Sequence, residues 1–279
     1  MTRLERRRLK NRIAMIAATA ATVLGLIVLV AILGTLVVRG MSALNLSLFL
    51  KSTPPPGVEG GLANAIYGSI MMTLTGLAIA TPLGILAGTA LNEFSGGSRI
   101  AQIAGFVNDV LLAAPSIVVG LFVYAVMVVP MRHFSGWAGA VALAIIALPV
   151  IVRTTQDMLA LVPVGLREAA AALGAPRWKI MTAVVWRAAR TGLVTGVLLA
   201  FARVAGETAP LLFTALSNQY WTSNMNAPMA SLPTVIFQFA MSPYNDWQSM
   251  AWGGALIVTF AILVINVIAR ALGGAPRNA

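Results

Sequence analysis

Long apolar runs dominate the pattern of hydrophobic and polar positions along this chain. About 20 apolar residues are needed to cross the hydrocarbon core of a bilayer, and six runs come close to or exceed that length. They lie at residues 13–38, 60–92 (apolar from about 65), 110–131, 134–152, 191 to about 216, and 247–269. Charges are absent from most of them. The pattern predicts an all-α membrane protein with six transmembrane helices.

The first run needs separate treatment because basic residues precede it, as in a signal peptide. A signal peptide has an apolar region of only about 7–15 residues, and the run at 13–38 is longer. We therefore expect a basic tail at 1–12 followed by a retained transmembrane helix. An outside segment at 39–64 with three consecutive prolines, a five-helix core at 65–272 and a short tail at 273–279 complete the predicted organisation.

Composition and the placement of charge agree with a membrane protein. The chain is 59% hydrophobic and 10% charged, whereas soluble domains carry about 25% charged residues. Basic residues concentrate in alternate loops, as the positive-inside rule expects. The predicted inside set is the N-terminal cluster with Arg99, Arg153, Arg167, Arg177, Lys179, Arg187, Arg190, Arg270 and Arg277. Both termini are therefore predicted to be cytoplasmic. The net charge of +11 forms no basic groove with interleaved aromatics, which argues against nucleic-acid binding.

Several kinds of chemistry are excluded by residue types. The chain has no cysteine and one histidine, which removes disulfides, thiolate metal sites and Cys–His nucleophiles. The phosphate-binding pattern G-x-x-x-x-G-K-[ST] is missing as well. We expect no catalytic residue, no metal and no cofactor on this chain, and ATP with its Mg²⁺ would be bound by another subunit.

The segment 167–180, Arg-Glu-Ala-Ala-Ala-Ala-Leu-Gly-Ala-Pro-Arg-Trp-Lys-Ile, is a compact charged block between two apolar runs. Glu168 opens a run of alanines, the best helix formers. Gly174 suits the left-handed position after a helix, and Pro176 suits the first turn of the next one. The block predicts two helices and a tight turn at the membrane surface, which together form a docking element for another protein.

Four charged residues lie within or beside the predicted spans. Arg203 and Glu207 are both inside the fifth run, and charges there usually pair or mark a transport path. Spaced four apart, they would share one helix face, either as a structural pair or as the wall of a pathway or gate. Asp109 and Arg153 flank their spans near the cytoplasmic side. Each is either a surface anchor or part of a pair, and with Arg203 and Glu207 the two complete the candidate set for a substrate pathway or gate.

Two prolines and one short apolar segment interrupt the simple pattern. Pro115 and Pro149 lie in the third and fourth spans, where proline frees backbone carbonyls; each predicts either a packing kink or a hinge. The segment 231–239 is apolar but too short to span the membrane. It predicts a surface helix starting at Pro233 or a re-entrant piece.

These residues resemble a known family. Glu168-Ala169-Ala170, three residues and Gly174 are similar to the EAA loop of ATP-binding-cassette (ABC) importer permeases, although Trp186-Arg187 replaces the Leu-Pro of the fuller pattern. From about Ala63 onward the chain resembles the phosphate permeases of the PstA type. That match rests on the stretches 108–111, 114–120, 148–155, 203–211 (Arg-Val-Ala-Gly-Glu-Thr-Ala-Pro-Leu) and 230–233.

The resemblance implies a MetI-like permease fold and a set of partners. The cytoplasmic EAA loop, 158–187, would dock on an ATPase through Glu168, Ala169, Ala170 and Gly174. The partners would be a sister permease of the PstC type, a dimer of PstB-type ATPases and a PstS-type phosphate-binding protein outside the bacterial inner membrane. The alternatives are an importer permease for sulfate, molybdate or an amino acid, a secondary transporter driven by an ion gradient and, with no residue pair to support it, an intramembrane hydrolase.

Overall fold

A computed structural model describes residues 3–94 and 98–273, and every regular element in these two ranges is a helix. Eleven helices follow in chain order. They are α1 Arg3–Ala43, α2 Leu46–Leu50, α3 Ala63–Phe94, α4 Arg99–Ala113, α5 Ser116–Met131, α6 Gly136–Ala160, α7 Val164–Ala172, α8 Arg177–Val204, α9 Ala209–Thr214, α10 Leu232–Ala240 and α11 Asn245–Gly273. Short π-helical turns lie within α3, α5 and α8.

Five of these helices, α1, α3, α6, α8 and α11, are long and apolar enough to cross a membrane. The pair α4–α5 also qualifies when counted as one broken span, which gives six in the part of the chain that the structure describes. The predicted helical membrane fold is therefore confirmed. Helix α1 starts at Arg3, so most of the basic segment 1–12 is helical and continuous with the first span. The predicted tail at 273–279 lies outside the described residues except for Gly273.

The third span differs from the prediction of one helix over 110–131. Helix α4 ends at Ala113, α5 starts at Ser116, and the two meet at an angle of 104°. Ala114 is extended at ψ 135°, as expected for a residue before proline. Pro115 has no N–H to donate, so it breaks the span. Pro149, by contrast, lies inside the continuous helix α6.

The fifth span is also displaced relative to the prediction at 191–216. Helix α8 runs from Arg177 to Val204 and then ends in a turn. The ring of Pro210 would collide with the carbonyl of Gly206 if the helix continued, and the chain restarts as α9 with Pro210 in its first turn. The second half of the predicted docking element is consequently the beginning of this long helix and not a separate surface helix.

The centre of the fold is the contact between α3 and α6. Small residues let the two backbones approach closely, as in many membrane helix pairs. A Cβ atom on Gly76 would lie 2.8 Å from the carbonyl oxygen of Ala140, and one on Gly88 would lie 2.7 Å from that of Val152. Buried side chains including Met72, Leu143, Ala147, Ile151, Val204 and Leu211 form the core around this contact.

The segment 231–239 forms helix α10, which begins at Leu232 and not at Pro233. Ser231 and Thr234 cap it reciprocally, and the backbone N–H of Leu232 donates to Ser69 Oγ at 2.6 Å. Leu232, Val235 and Phe239 are buried against a cluster that includes Leu48 and Leu62. Because its apolar face is covered, α10 is a packed element of the fold and not a helix lying free on a surface.

Candidate coupling and translocation site

Helix α7 and the turn after it carry the residues predicted to dock on another protein. Gly174 has φ of +76°, and its N–H donates to Ala171 O at 2.9 Å. The N–H of Ala175 donates to Ala170 O at 3.3 Å. These two bonds form a Schellman motif, so the predicted helix stop at Gly174 is confirmed. Pro176 is the residue just before α8.

The surface of this element is open and partly apolar. Glu168 and Ala169 are exposed, while Ala170 is half-buried against Leu159, Val162 and their neighbours. Leu173 is 89% exposed and Trp178 68% exposed. Leu173 and Trp178 are therefore large apolar side chains that the described part of this subunit does not cover. Glu168 and Gly174 thus lie on one exposed element, and its role as a docking surface stays a prediction.

An ion pair attaches the base of α7 to the end of α3. Arg167 Nη2 lies 2.6 Å from Glu93 Oε1, and Arg167 Nε lies 3.2 Å from Glu93 Oε2. The same guanidinium donates to the carbonyls of Leu159 and Val162, where α6 ends. A cleft of about 360 Å³ opens beside the pair and is also lined by Glu168 and Arg177.

Trp186 adds a second connection between the same two regions. Its indole Nε1 donates to Thr89 Oγ1 at 3.0 Å, which joins α8 to the inner part of α3. Trp186 and Arg187 replace the Leu-Pro of the resembled pattern, and α8 passes through both positions without a break. A proline at position 187 would remove a backbone donor from this helix. With Arg187 in place of proline, the backbone N–H at this position is kept and α8 continues through it.

Arg203 and Glu207 do not share one helix face, which corrects the sequence-based prediction. Helix α8 ends at Val204, and Glu207 lies in the following turn with its N–H donating to Val204 O at 3.2 Å. Arg203 is exposed and Glu207 half-buried. Within the described residues, neither side chain has an ion-pair or hydrogen-bond partner.

The depth of Arg203 follows from the packing of α8 on α6. Gly192 lies against Met158 and Gly196 against Thr154, so the two helices are antiparallel. Arg203 is seven residues beyond Gly196, or about 10 Å further along the helix, which brings it level with the middle of α6. This arginine is therefore far from either end of α6, on an exposed side of the subunit.

Asp109 and Arg153 are brought together, and Asp157 joins them. Arg153 Nη1 lies 3.7 Å from Asp109 Oδ1, and Arg153 Nε lies 3.4 Å from Asp157 Oδ1. All three side chains are more than half exposed. Asn108, the neighbour of Asp109, donates to Pro149 O at 3.4 Å and so links α4 to α6. The cluster forms a charged patch that the single subunit leaves uncovered.

Two of the stretches that carry the family resemblance also pack on each other. A Cβ atom on Gly120 of α5 would lie 2.6 Å from the Cα of Pro210, at the start of α9. The stretch 114–120 and the stretch 203–211 therefore meet with no room for a larger side chain. This contact positions the turn that carries Glu207 against the broken third span.

Sequence reasoning missed the partners of two arginines. Glu93 was not singled out, although it is the only acidic residue between Glu59 and Asp109. Asp157 was not singled out either, although it follows Arg153 by four positions, the spacing of a helical ion pair. The pairing of Asp157 with Arg153 could have been predicted from the sequence spacing. The pairing of Glu93 with Arg167 could be found only from the tertiary structure.

Comparisons with known proteins agree with this arrangement. The family model described as "Binding-protein-dependent transport system inner membrane component" matches residues 80–275. The chain belongs to this family, whose members are multi-pass membrane components of ABC importers.

Among its relatives are proteins named phosphate transport system permease protein PstA. The one from Pasteurella multocida is 54% identical over 264 residues, covering 95% of this chain and 94% of the relative. The one from Yersinia pestis is 52% identical over 267 residues, covering 95% and 90%. A relative from Mycobacterium tuberculosis, PstA 1, is 36% identical over 270 residues, covering 95% and 88%.

Solved structures share the fold at low identity. The inward-facing MetNI methionine ABC transporter aligns with a TM-score of 0.63 at 19% identity, covering 75% of this chain and 94% of that one. A bacterial alginate ABC transporter in complex with its alginate-bound periplasmic protein aligns with a TM-score of 0.67 at 12% identity, covering 96% of both chains. These matches confirm the predicted MetI-like permease fold.

Proposed function

We propose that this chain is the transmembrane permease subunit of an ATP-driven inorganic phosphate importer. The observation that carries the proposal is identity of 52–54% across 95% of the chain to permeases named for phosphate transport. Relatives this similar over nearly their whole length rarely differ in the kind of solute they carry. The docking element at Glu168 and Gly174 fits the same role, because a permease driven by ATP needs a contact with its ATPase.

The chain itself performs no covalent chemistry in this proposal. A sister permease of the PstC type would complete the pathway, two PstB-type ATPases would bind ATP and Mg²⁺ at the cytoplasmic face, and a PstS-type protein would deliver phosphate from outside the bacterial inner membrane. The charged patch of Asp109, Arg153 and Asp157 supports the sister subunit. Charges exposed to lipid are costly, so another subunit or a water-filled space must cover them.

Arg203 would lower the barrier for the anion within the membrane. An anion entering a region of low dielectric loses hydration, and a nearby cation offsets part of that loss. Arg203 lies level with the middle of α6 and has no acidic partner among the described residues. Its positive charge is therefore free to act on a passing anion. Glu207 lies in the turn that follows α8. Its negative charge would weaken the binding of phosphate near Arg203, so that the anion can leave.

The charged patch would act nearer the cytoplasmic end of the same pathway. Asp109 and Asp157 both lie within 4 Å of Arg153, so the arginine is neutralised in this conformation. Asp109 is on α4, which the bend at Pro115 separates from α5. Movement of α4 would pull Asp109 away and leave Arg153 with Asp157 alone, which would reduce the negative charge that the anion meets, as a gate would.

The test is uptake of radiolabelled phosphate by proteoliposomes that contain the assembled importer, with ATP inside and binding protein outside. We expect Arg203→Gln to assemble normally and to lose most of the transport. The matched control is Arg190→Gln, an exposed arginine on the same helix nearer its cytoplasmic end. It should retain uptake close to that of the unaltered complex.

Two results would contradict the proposal in different ways. Uptake of sulfate, molybdate or an amino acid in preference to phosphate by the unaltered complex would mean that the solute is wrong. Normal phosphate uptake by a well-assembled Arg203→Gln complex would mean that phosphate is right and Arg203 is not part of its path.

A further inference from the structure

Arg167 and Glu93 make a more extensive set of contacts than a surface ion pair. The side chains of Arg167 and Glu93 are 19% and 11% exposed. Besides its two bonds to Glu93, the guanidinium donates to Val162 O at 2.5 Å and Leu159 O at 2.9 Å. Glu93 Oε1 also accepts from Asn92 Nδ2 at 2.8 Å. The planar guanidinium suits this arrangement, because it presents several donors in fixed directions.

The position of these contacts matters as much as their number. Arg167 lies in the first half of docking helix α7, and Glu93 lies in the π-helical turn that ends α3. The carbonyls of Leu159 and Val162 belong to the end of α6 and the link to α7. One side chain therefore holds the docking helix to the inner ends of two membrane helices that are themselves tightly packed.

We propose that Arg167 and Glu93 position the docking helix for coupling to the ATPase. The pair holds α7 to α3, so that the two helices move as one body when the ATPases close. The proposal rests on the proposed function, since it assumes an ATPase at the docking helix. It assigns neither residue to contact with phosphate or with ATP. The bond from Trp186 to Thr89 acts in the same direction, because it holds the inner part of α8 to the same stretch of α3.

The pair's chemistry predicts how its variants behave. Glu93→Gln leaves the partly buried charge of Arg167 without its counterion, and Arg167→Gln leaves the carboxylate without its cation. Either change should destabilise the complex, by less than it would for a fully buried pair. The double variant leaves no orphan charge, so it should recover the amount of folded complex. It should not recover coupling, because two amides cannot reproduce the two-pronged bond and the two bonds to main-chain carbonyls.

A distance measurement within the complete importer tests whether the two elements move together. The chain contains no cysteine, so spin labels can be placed at exposed positions Ala172 on α7 and Leu86 on α3. We expect one narrow distance distribution that is the same with and without ATP. In the double variant the distribution should broaden, and phosphate transported per ATP hydrolysed should fall by about fivefold or more, within the range of coupling energies between protein sites.

The control is Glu59→Gln, which removes an exposed pair with Lys51 at 3.4 Å on the other side of the protein. It should change neither the distance nor the coupling ratio. The proposal is overturned if the distance in the unaltered importer changes on ATP binding, or if the double variant recovers coupling together with protein level. The second result would make the pair purely structural.

These outcomes are separate from those of the proposed function. The distance needs only ATP and the assembled complex, so it is informative whichever solute is carried. A complex that moves another solute but keeps α7 and α3 at one distance would refute phosphate transport and support the positioning pair.

Discussion

Gly174 offers a clean test of the docking element because only its backbone conformation resists a larger residue. No atom lies within 4 Å of the place where its Cβ would be, yet its φ is +76°. A left-handed residue with a Cβ costs roughly 1–2 kcal/mol. Asparagine tolerates this region better than other residues, and a β-branched residue tolerates it poorly. The series Asn, Ala, Val therefore varies strain at a position with open space.

The expected magnitude follows from that strain. Valine at Gly174 should cost about 1.5–2 kcal/mol, and 1.4 kcal/mol is a tenfold change in an equilibrium constant. The equilibrium constant for forming the bonds from the N–H groups of Gly174 and Ala175 to α7 would therefore fall by roughly tenfold or more. The rest of the fold should be unaffected, because the turn lies outside the packed core.

The assay is co-purification of the ATPase together with phosphate uptake per ATP hydrolysed. We expect Asn to behave almost like glycine, Ala to be intermediate and Val to lose most of the coupling at normal permease level. Full coupling by Gly174→Val would refute the argument that the turn shapes the docking surface. Equal losses for Asn and Val would show that the ATPase approaches too closely for any side chain, which places the cause in the partner and not in φ.

Three further predictions use other parts of the fold. Gly88→Val should lower the free energy of unfolding of the detergent-solubilised protein by about 1–3 kcal/mol, because it overpacks the contact with α6. The control, Gly25→Val, has no atom within 4 Å of its Cβ position and should leave the free energy of unfolding unchanged. Equal effects of the two changes would contradict the close α3–α6 contact. Ser231→Ala should lower stability by about 1 kcal/mol because it removes the cap of α10, and an unchanged unfolding midpoint would count against that cap. A cysteine at Ala171 should be protected from impermeant thiol reagents in intact cells while one at Tyr220 is labelled; the reverse pattern would invert the predicted topology.

Much of the fold was predictable because membrane helices can be recognised in a sequence as long apolar runs with few charges. Gly174 could be placed because glycine adopts the left-handed conformation after a helix more readily than other residues. Pro115 could be recognised as an interruption, although not its angle of 104°, which depends on how α4 and α5 pack. The end of α8 at Val204 was missed because apolarity continues past it, and apolarity alone does not distinguish helix from turn.

The candidate site was harder to predict because its contacts are distant in sequence. Glu93 and Arg167 are 74 positions apart, and no periodicity connects them. The prediction that Arg203 and Glu207 share one helix face was wrong for the opposite reason. Their spacing suggested a shared face, but Pro210 prevents the helix from reaching Glu207. Local spacing predicts a contact only while the helix that defines it continues.

The glycine contacts of α3 with α6 have a consequence for how access to the two sides of the membrane can alternate. If α3 slid along α6 by one helical turn, Met72 or Ala80 would occupy the place of Gly76, where even a Cβ comes within 2.8 Å of a carbonyl oxygen. These two helices are therefore interlocked, and they form one rigid frame, which carries the docking helix α7 with it. Rearrangement within the subunit is then expected where the helices are broken, above all at the 104° bend before Pro115. Opening and closing would be a swing of α4 about that bend, measured against a frame that does not deform.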